Sequence, residues 1–414
     1  MHRRRFLACL GGGALALGGC RFLPEDGLRS SCRTGPLPEA LAAHPLMTGI
    51  WQGIDPARLW DCHVHLIGVG DGGSGTWINP KMDSWLHPMQ YVQKRFYWNA
   101  ACLGDHRPAD PAFVARLTHL ADQFPRGARF MLLAFDRHHD EHGRPVEALT
   151  PFHTPNGYAR DVARAHPERF EWIASVHPYR ADALDALEQA AAEGARAVKW
   201  LPPAMGMDPG SPRCDRFFEA LARLGLPLLS HAGHELAVQA DAHQALGNPL
   251  RLRRALEHGV TVILAHCASL GENVDLDAGP NGPVTGNFAL FTRLMDETRH
   301  RGRLYGEISA TGQLLRSGPE LDAMIARRDW QERLLYGSDY PLPAITVLFS
   351  TRDLRNRGYL TADEREFLLA VRRENPLLFD FALKRLLTAR ATRFAPDVFH
   401  TRRVFELRGV TATK

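Results

Sequence analysis

Histidine side chains stand at the end of the first apolar segment of this sequence. Asp61-Cys62-His63-Val64-His65 closes that segment. On a β-strand, side chains two positions apart share a face, so His63 and His65 point the same way. Two neutral imidazoles at this spacing can bind one Zn²⁺ ion. An HxH pair also arises by chance in a chain with 20 histidines, so the pair alone is a modest indication of metal binding.

Three further residues of the same chemistry stand at or near the ends of later apolar segments. They are His231, His266 and Asp339. A single buried histidine is as readily a hydrogen-bonded core residue, but independent histidines are not expected to fall in register at strand ends. We therefore predict a divalent metal site, with Zn²⁺ expected and one or two ions per chain. Imidazole and carboxylate ligands also suit Mn, Fe and Co, so the element stays open.

The predicted metal site would support hydrolysis. A bound Zn²⁺ ion lowers the pKa of its water to about 7, which makes hydroxide available at neutral pH. Asp339 can ligate the ion and accept the proton of the water, and can then deliver it to the leaving group. The ion or a nearby histidine, with His266 as the candidate, polarises the scissile carbonyl. This chemistry suits amides, esters and lactones.

The segments that carry these residues alternate with helix-like stretches, as expected for an α/β protein. Near-continuous apolar strands that alternate with helices predict a parallel sheet, and eight such units predict a (β/α)8 TIM barrel. An open, doubly wound sheet is the alternative, but its usual glycine-rich first turn is replaced here by His-Val-His. The eight predicted strands are 59–66, 129–135, 170–176, 195–201, 226–230, 260–265, 303–308 and 333–337.

Three connections between the predicted strands exceed the usual length. Residues 67–109, 136–154 and 268–285 follow strands one, two and six. Long loops in a compact domain are usually functional or disordered. We expect these insertions on the face where barrel enzymes bind substrate.

The strand-end residues together resemble the amidohydrolase superfamily. Its pattern is HxH on strand one, Lys on strand four, His on strands five and six, and Asp on strand eight. His231-Ala232-Gly233-His234-Glu235, Ala265-His266-Cys267 and Tyr336-Gly337-Ser338-Asp339-Tyr340-Pro341 look most like its amidohydrolase-2 branch, the metal-dependent TIM-barrel hydrolases. The stretch Glu374-Asn375-Pro376-Leu377-Leu378-Phe379 is similar to the helix that closes that branch. The resemblance covers roughly residues 59–386.

The resemblance implies a role for each ligand. His63, His65 and Asp339 would hold the more buried metal ion. His231 and His266 would hold a second ion in members with two metals. In members with one metal, His231 would join the first site and His266 would orient the water or the substrate.

Lys199, at the end of the fourth segment, would distinguish the two metal arrangements. The resemblance implies that carbamylation by CO₂ would turn Lys199 into a carboxylate that bridges two ions. The alternative is an unmodified lysine paired with a carboxylate. The continuation 202–208 departs from the usual pattern of the family, so both alternatives stay open.

The function expected from this resemblance is hydrolysis of a small-molecule substrate, in a protein that could form a homodimer. A metal-dependent non-oxidative decarboxylase of the same superfamily is the first alternative. A lipid-anchored barrel that binds metal or ligand without catalysis is the second, and the complete ligand set disfavours it.

Other polar residues beside the strand ends are candidates for substrate contacts. His138 and His139 follow the second strand, Arg180 follows the third, and His234 stands three residues after His231. Arg180 could bind a substrate carboxylate. A solvated polar loop and a surface arginine are the alternatives. Glu307, inside the seventh strand, carries no assignment.

The first twenty residues resemble an export signal. Arg3-Arg4-Arg5 precedes an apolar run that is too short to span a bilayer. The order Arg-Arg-x-Phe-Leu resembles a twin-arginine signal, and Leu17-Gly18-Gly19-Cys20 resembles a lipobox that would place a lipid on Cys20. A buried N-terminal helix is the alternative, and the glycines of this run disfavour it. We expect an exported protein, periplasmic or anchored to the cell envelope through that lipid.

Composition and charge complete the sequence-based organisation. The 50 basic and 46 acidic residues leave almost no net charge once the three N-terminal arginines are set aside, which argues against a nucleic-acid partner. The seven cysteines show no CxxC pair, so the sequence predicts neither a zinc knuckle nor a particular disulfide. Cys62 alternates away from His63 and His65 and is predicted to pack behind the barrel. The expected regions are 1–20 signal, 21–58 tether and lead-in, 59–390 barrel and 391–414 tail.

Overall fold

The computed structural model describes residues 25–104 and 108–406. The predicted twin-arginine motif and the predicted lipid site at Cys20 lie outside the described residues. Among the described residues, no helix is both long enough and apolar enough to cross a membrane.

Eight parallel strands form the barrel, and each coincides with a predicted segment. In chain order, the first three strands pair side by side, and so do the last five. Parallel bridges Ala174–Val198 and Val64–Tyr340 join these two sheets at both edges. The strands are β1 Trp60–His65, β2 Arg129–Leu133, β3 Phe170–Ile173, β4 Val198–Trp200, β5 Leu228–His231, β6 Val262–Ala265, β7 Leu304–Glu307 and β8 Leu334–Leu335. The predicted (β/α)8 barrel is confirmed.

Helices connect the strands and cover the outside of the barrel. The helix Ala362–Glu374 begins with a capping box between Thr361 and Glu364, and Asn375 caps the next helix, Pro376–Leu386, by accepting the backbone N–H of Leu378. The helices are α1 Glu39–Ala42, α2 Pro45–Ile50, α3 Pro88–Ala100, α4 Ala109–Asp122, α5 Asn156–Ala165, α6 Ala183–Ala192, α7 Pro202–Met205, α8 Asp215–Leu224, α9 Arg253–Glu257, α10 Asn287–Asp296, α11 Pro319–Ala326, α12 Thr351–Asn356, α13 Ala362–Glu374, α14 Pro376–Leu386 and α15 Arg402–Phe405.

An apolar cluster fills the barrel interior below the strand ends, and it is built by side chains from seven of the eight strands and by Ala197, just before β4. Cys62 belongs to this cluster, so the prediction that it packs behind the barrel is wrong. The reason is an irregularity in β1, whose register against β2 shifts between Asp61 and Val64. Such a bulge changes the phase of side-chain alternation. It allows Cys62 to enter the interior while His63 and His65 still share the face above it.

Both ends of the described chain pack onto the barrel. Glu25 forms an ion pair with Arg365 at 2.8 Å, and a disulfide joins Cys32 to Cys102 just after α3. At the other end, Phe405 joins the interior cluster. The part of the predicted tether that the structure describes is therefore folded, and so is most of the unassigned tail.

The long insertions carry short antiparallel ribbons above the barrel. Trp77–Ile78 of the first insertion pairs with Phe152–His153 at the end of the second. Within the third insertion and just beyond it, Glu272–Val274 pairs with Val284–Gly286. The first ribbon joins the two insertions that follow β1 and β2 into one structure.

Candidate metal centre and active-site cavity

All six predicted ligand positions line one cavity at the C-terminal ends of the strands. The cavity encloses about 1320 Å³, including its opening to solvent. Period-two alternation aims the side chains of Lys199 and His231 at it, because Ala197 and Leu229, two positions before them, belong to the interior cluster. The six residues are His63, His65, Lys199, His231, His266 and Asp339.

His63, His65 and Asp339 form the most compact group of donors. Asp339 Oδ1 lies 3.1 Å from His65 Nε2 and 3.5 Å from His63 Nε2. One ligand atom from each residue lies within 4.8 Å of the other two. The backbone of Asp339 has φ +61°, an uncommon conformation for a residue other than glycine, and its N–H donates to the His63 carbonyl at 2.7 Å. Strain of this kind is typical of functional sites.

Glu307 and Ser309 orient the His63 ring from behind. His63 Nδ1 lies 3.1 Å from Glu307 Oε2 and 3.2 Å from Ser309 Oγ, and Ser309 Oγ also donates to Glu307 Oε2 at 2.7 Å. A carboxylate on the far nitrogen fixes the tautomer of a metal-ligating histidine. His63 Nε2 is thereby left to face Asp339. The sequence pattern does not assign a role to Glu307, although a carboxylate at the end of an apolar strand could have indicated one.

His231 and His266 complete the histidine group. The His266 ring centroid lies 5.2 Å from the centroids of both His63 and His231. His266 Nδ1 lies 2.8 Å from Ser309 Oγ, whereas the buried Nε2 of His231 has no hydrogen-bond partner among the described residues. An orphaned buried nitrogen beside this donor group fits a metal ligand.

Burial sets the protonation of the three deepest histidines. It lowers the pKa of His63, His231 and His266 well below the usual value of an imidazole, and the charge of nearby Lys199 or Arg316 adds to this effect. The three rings are therefore neutral at physiological pH. Neutral imidazole is the form that binds a metal ion.

Lys199 is buried in the same group without a carboxylate partner. Its Nζ lies 3.2 Å from His63 Nε2, and no carboxylate oxygen of the described residues lies within 4.0 Å of it. Burial lowers the pKa of its ammonium group. Lys199 therefore has no ion-pair partner among the described residues, and the alternatives of carbamylated and unmodified lysine both stay open.

The four predicted substrate contacts lie outside the residues that line this cavity. Arg180 pairs with two aspartates, at 2.9 Å and 2.6 Å. His138 Nδ1 lies 2.9 Å from a backbone carbonyl after β4, and the His139 ring packs against a neighbouring histidine. His234 Nε2 lies 2.9 Å from the carbonyl of Glu272. All four have structural partners instead of a place in the cavity wall.

Segments after β1, β5, β7 and β8 build most of the upper wall of the cavity. The first insertion supplies several residues, including three consecutive aromatics, but the second and third insertions supply one each, Phe152 and Leu270. The wall is therefore mainly apolar. Two of its buried charged residues were not predicted to contact substrate, Glu235 and Arg316. Burial raises the pKa of Glu235 to about 7, although its carboxylate accepts the N–H of Val238 at 3.1 Å.

Comparison of the sequence with known protein families supports both the barrel fold and the donor group. A sequence model of the amidohydrolase family matches residues 60–377, which is more than half of the chain. The protein therefore belongs to the amidohydrolase family, an enzyme family, as the sequence motifs predicted. No curated protein matches the sequence at a significant level.

Several solved structures are similar to this chain. An uncharacterized TIM-barrel protein from Bordetella bronchiseptica shares 16% identity with a TM-score of 0.46, covering 78% of this chain and 99% of that one. A probable 2-pyrone-4,6-dicarboxylic acid hydrolase from Acinetobacter baumannii shares 15% with a TM-score of 0.42, covering 80% and 96%. 5-Carboxyvanillate decarboxylase from Sphingomonas paucimobilis shares 13% with a TM-score of 0.40, covering 77% and 97%. Similarity at this level does not identify a substrate.

The contact between Glu307 and His63 generates a test of the centre. We expect Glu307→Gln to weaken binding of a divalent ion, with Zn²⁺ as the probe, about 10- to 100-fold, because the neutral amide holds the His63 ring less firmly. Titration against a competing chelator measures this Kd, and circular dichroism checks the fold. Glu366→Gln, on an exposed residue of α13, is the matched control. An unchanged Kd in a folded Glu307→Gln protein would refute the positioning role.

Proposed function

We propose that the protein is a metal-dependent hydrolase that cleaves an amide, ester or lactone bond of a small molecule. The observation that carries this proposal is the group of His63, His65 and Asp339, gathered within 4.8 Å in the wall of a cavity that opens to solvent. Membership in the amidohydrolase family supports it.

The donor set suits a divalent ion, and Zn²⁺ is the ion we expect. His63, His65 and Asp339 would hold it, and the unpartnered Nε2 of buried His231 would be a donor to a second ion. When bound, such an ion polarises a carbonyl and lowers the pKa of the attacking water.

Asp339 is the candidate general base. Burial by itself raises the pKa of its carboxyl group, but contacts with His63 and His65 and the charge of Lys199 outweigh burial, so the pKa lies below its usual value. Asp339 is therefore ionised at neutral pH and can accept a proton from water. It can then donate that proton to the leaving nitrogen or oxygen.

His266 is the candidate for orienting the water or the scissile carbonyl. Its Nδ1 is engaged by Ser309 Oγ, which leaves Nε2 as the ring nitrogen available to a ligand in the cavity. His266, Cys267 and Ala268 all have positive φ, with His266 at +57°. This strained backbone lies directly after β6 and orients the His266 ring toward Ser309.

We also propose that the protein is exported and anchored by a lipid on Cys20. The basic and apolar run before Cys20 supports export. The disulfide between Cys32 and Cys102 supports it independently, since disulfides persist in oxidising compartments and are rare in the cytosol.

Replacement of the proposed base tests the reaction. We expect Asp339→Asn to lower turnover about 10²- to 10⁴-fold in a folded protein, because the amide cannot accept a proton. The assay screens esters, lactones and amides in H₂¹⁸O and measures incorporation of ¹⁸O into the product. Asp363→Asn, on the exposed first turn of α13, is the control.

Three outcomes would contradict the hydrolase proposal. Retained turnover in Asp339→Asn would show that Asp339 is not the base. Release of CO₂ without incorporation of ¹⁸O would make the protein a decarboxylase. Absence of turnover from metal-loaded protein on every compound would leave a non-catalytic binding barrel.

Metal content tests the state of Lys199. A buried lysine with a lowered pKa and no carboxylate partner is suited to react as a free amine with CO₂ and release a proton. We expect protein lacking residues 1–20 to take up about two equivalents of Zn²⁺ in bicarbonate buffer, and Lys199→Ala to take up about one. Elemental analysis measures both. A single equivalent in both proteins would show that Lys199 stays an ordinary amine.

Cell fractionation tests export and anchoring. In a bacterium with a twin-arginine system, we expect the native chain in the membrane fraction and Cys20→Ser in the soluble envelope fraction. Replacing Arg3 and Arg4 together by Lys should retain the protein in the cytoplasm. A native chain found in the cytoplasm would contradict the proposal.

A further inference from the structure

Arg316 is a buried arginine that lines the catalytic cavity without an acidic partner. It is 7% exposed, and its Nη1 donates to Ser269 Oγ at 3.1 Å. No carboxylate oxygen of the described residues lies within 4.0 Å of its guanidinium group. A buried cation is costly unless it is paired. The fold therefore holds a desolvated guanidinium group in the wall of the site.

The surrounding charges leave Arg316 unneutralised. Glu235, Asp339 and Glu307 raise its pKa from beyond ion-pair distance, but burial outweighs them and lowers the pKa overall. Glu235 directs its carboxylate to the backbone N–H of Val238, and Asp339 faces the histidines. A bound divalent ion would add positive charge to the same cavity. An anionic ligand would thus be favoured there.

Most of the upper wall of the cavity is apolar. Leu236 and Val238 after β5, Leu270 after β6 and Leu315 beside Arg316 all line the cavity. A ligand that fills this space buries a hydrophobic body. Its charge would meet the one guanidinium group of the cavity lining that the structure describes.

We propose that Arg316 binds a carboxylate of the substrate, which makes the substrate class a lipophilic carboxylic acid that also carries the amide, ester or lactone bond. This inference rests on the proposed hydrolase function for the bond that is cleaved. A planar guanidinium group matches a carboxylate with two parallel N–H···O bonds. The apolar wall binds the hydrophobic part of the substrate. The metal centre acts on the amide, ester or lactone bond that lies between this part and the carboxylate.

Paired probes of equal shape measure the contribution of charge. The probes are 4-phenylbutyrate and 4-phenylbutyramide, bound to the metal-loaded protein and followed by calorimetry. We expect the acid to bind wild-type protein at least about tenfold more tightly than the amide, because a hydrogen bond to a charged group contributes that much. Arg316→Met should remove this preference, and Arg316→Lys should retain part of it. Arg355→Met, at an exposed residue of α12, is the control.

The outcomes separate this inference from the proposed function. Equal binding of acid and amide by wild-type protein would overturn the role of Arg316 whether or not the variants fold. A preference that survives in a folded Arg316→Met protein would also overturn it and would assign the carboxylate to the metal ion. Because the readout is binding, a failed search for hydrolysis leaves the preference intact. If the protein hydrolyses neutral compounds but does not prefer the acid probe, the role of Arg316 is overturned and the hydrolase proposal stands.

Discussion

The seam between β1 and the end of β8 closes the barrel and gathers the metal donors at the same time. Asp61 Oδ1 accepts the backbone N–H groups of His63 at 3.1 Å and of Ser338 at 2.9 Å. The N–H of Asp339 donates to the His63 carbonyl, and the N–H of His65 donates to the carbonyl of Tyr340 at 2.9 Å. The separation of His63, His65 and Asp339 therefore depends on backbone hydrogen bonds that also complete the sheet.

Buried polar groups support this seam from behind. Lys384 Nζ, in α14, donates to the Gly337 carbonyl at 2.7 Å and to Asp380 at 2.5 Å, and both side chains are fully buried. A Cβ atom at position 337 would lie 2.7 Å from the Cβ of His63, so this approach requires glycine. Breaking one member of such a buried network is costly. The closing helix of the family motif thus contributes to the geometry of the metal centre.

The base of the cavity carries the polar and charged metal donors, whereas its upper wall is mainly apolar. These two parts come from different regions of the chain. Strand ends supply the metal donors, whose positions the sheet fixes. Connecting segments supply the apolar wall and Arg316. This division is typical of the TIM barrel, where chemistry is held by strand ends and specificity varies with the loops.

The sequence by itself determined the eight strands, the barrel and the positions of the six candidate ligands. It could do so because apolar periodicity and strand-end placement are local properties. The tertiary structure alone decided that Glu307 orients His63, that Arg316 lines the cavity while Arg180 is paired elsewhere, and that Cys62 enters the interior. Each of these outcomes depends on contacts between residues distant in sequence or on the bulge in β1. Long-range contacts and a bulge leave no periodic pattern in the sequence, because they are set by how complete strands and loops pack against one another.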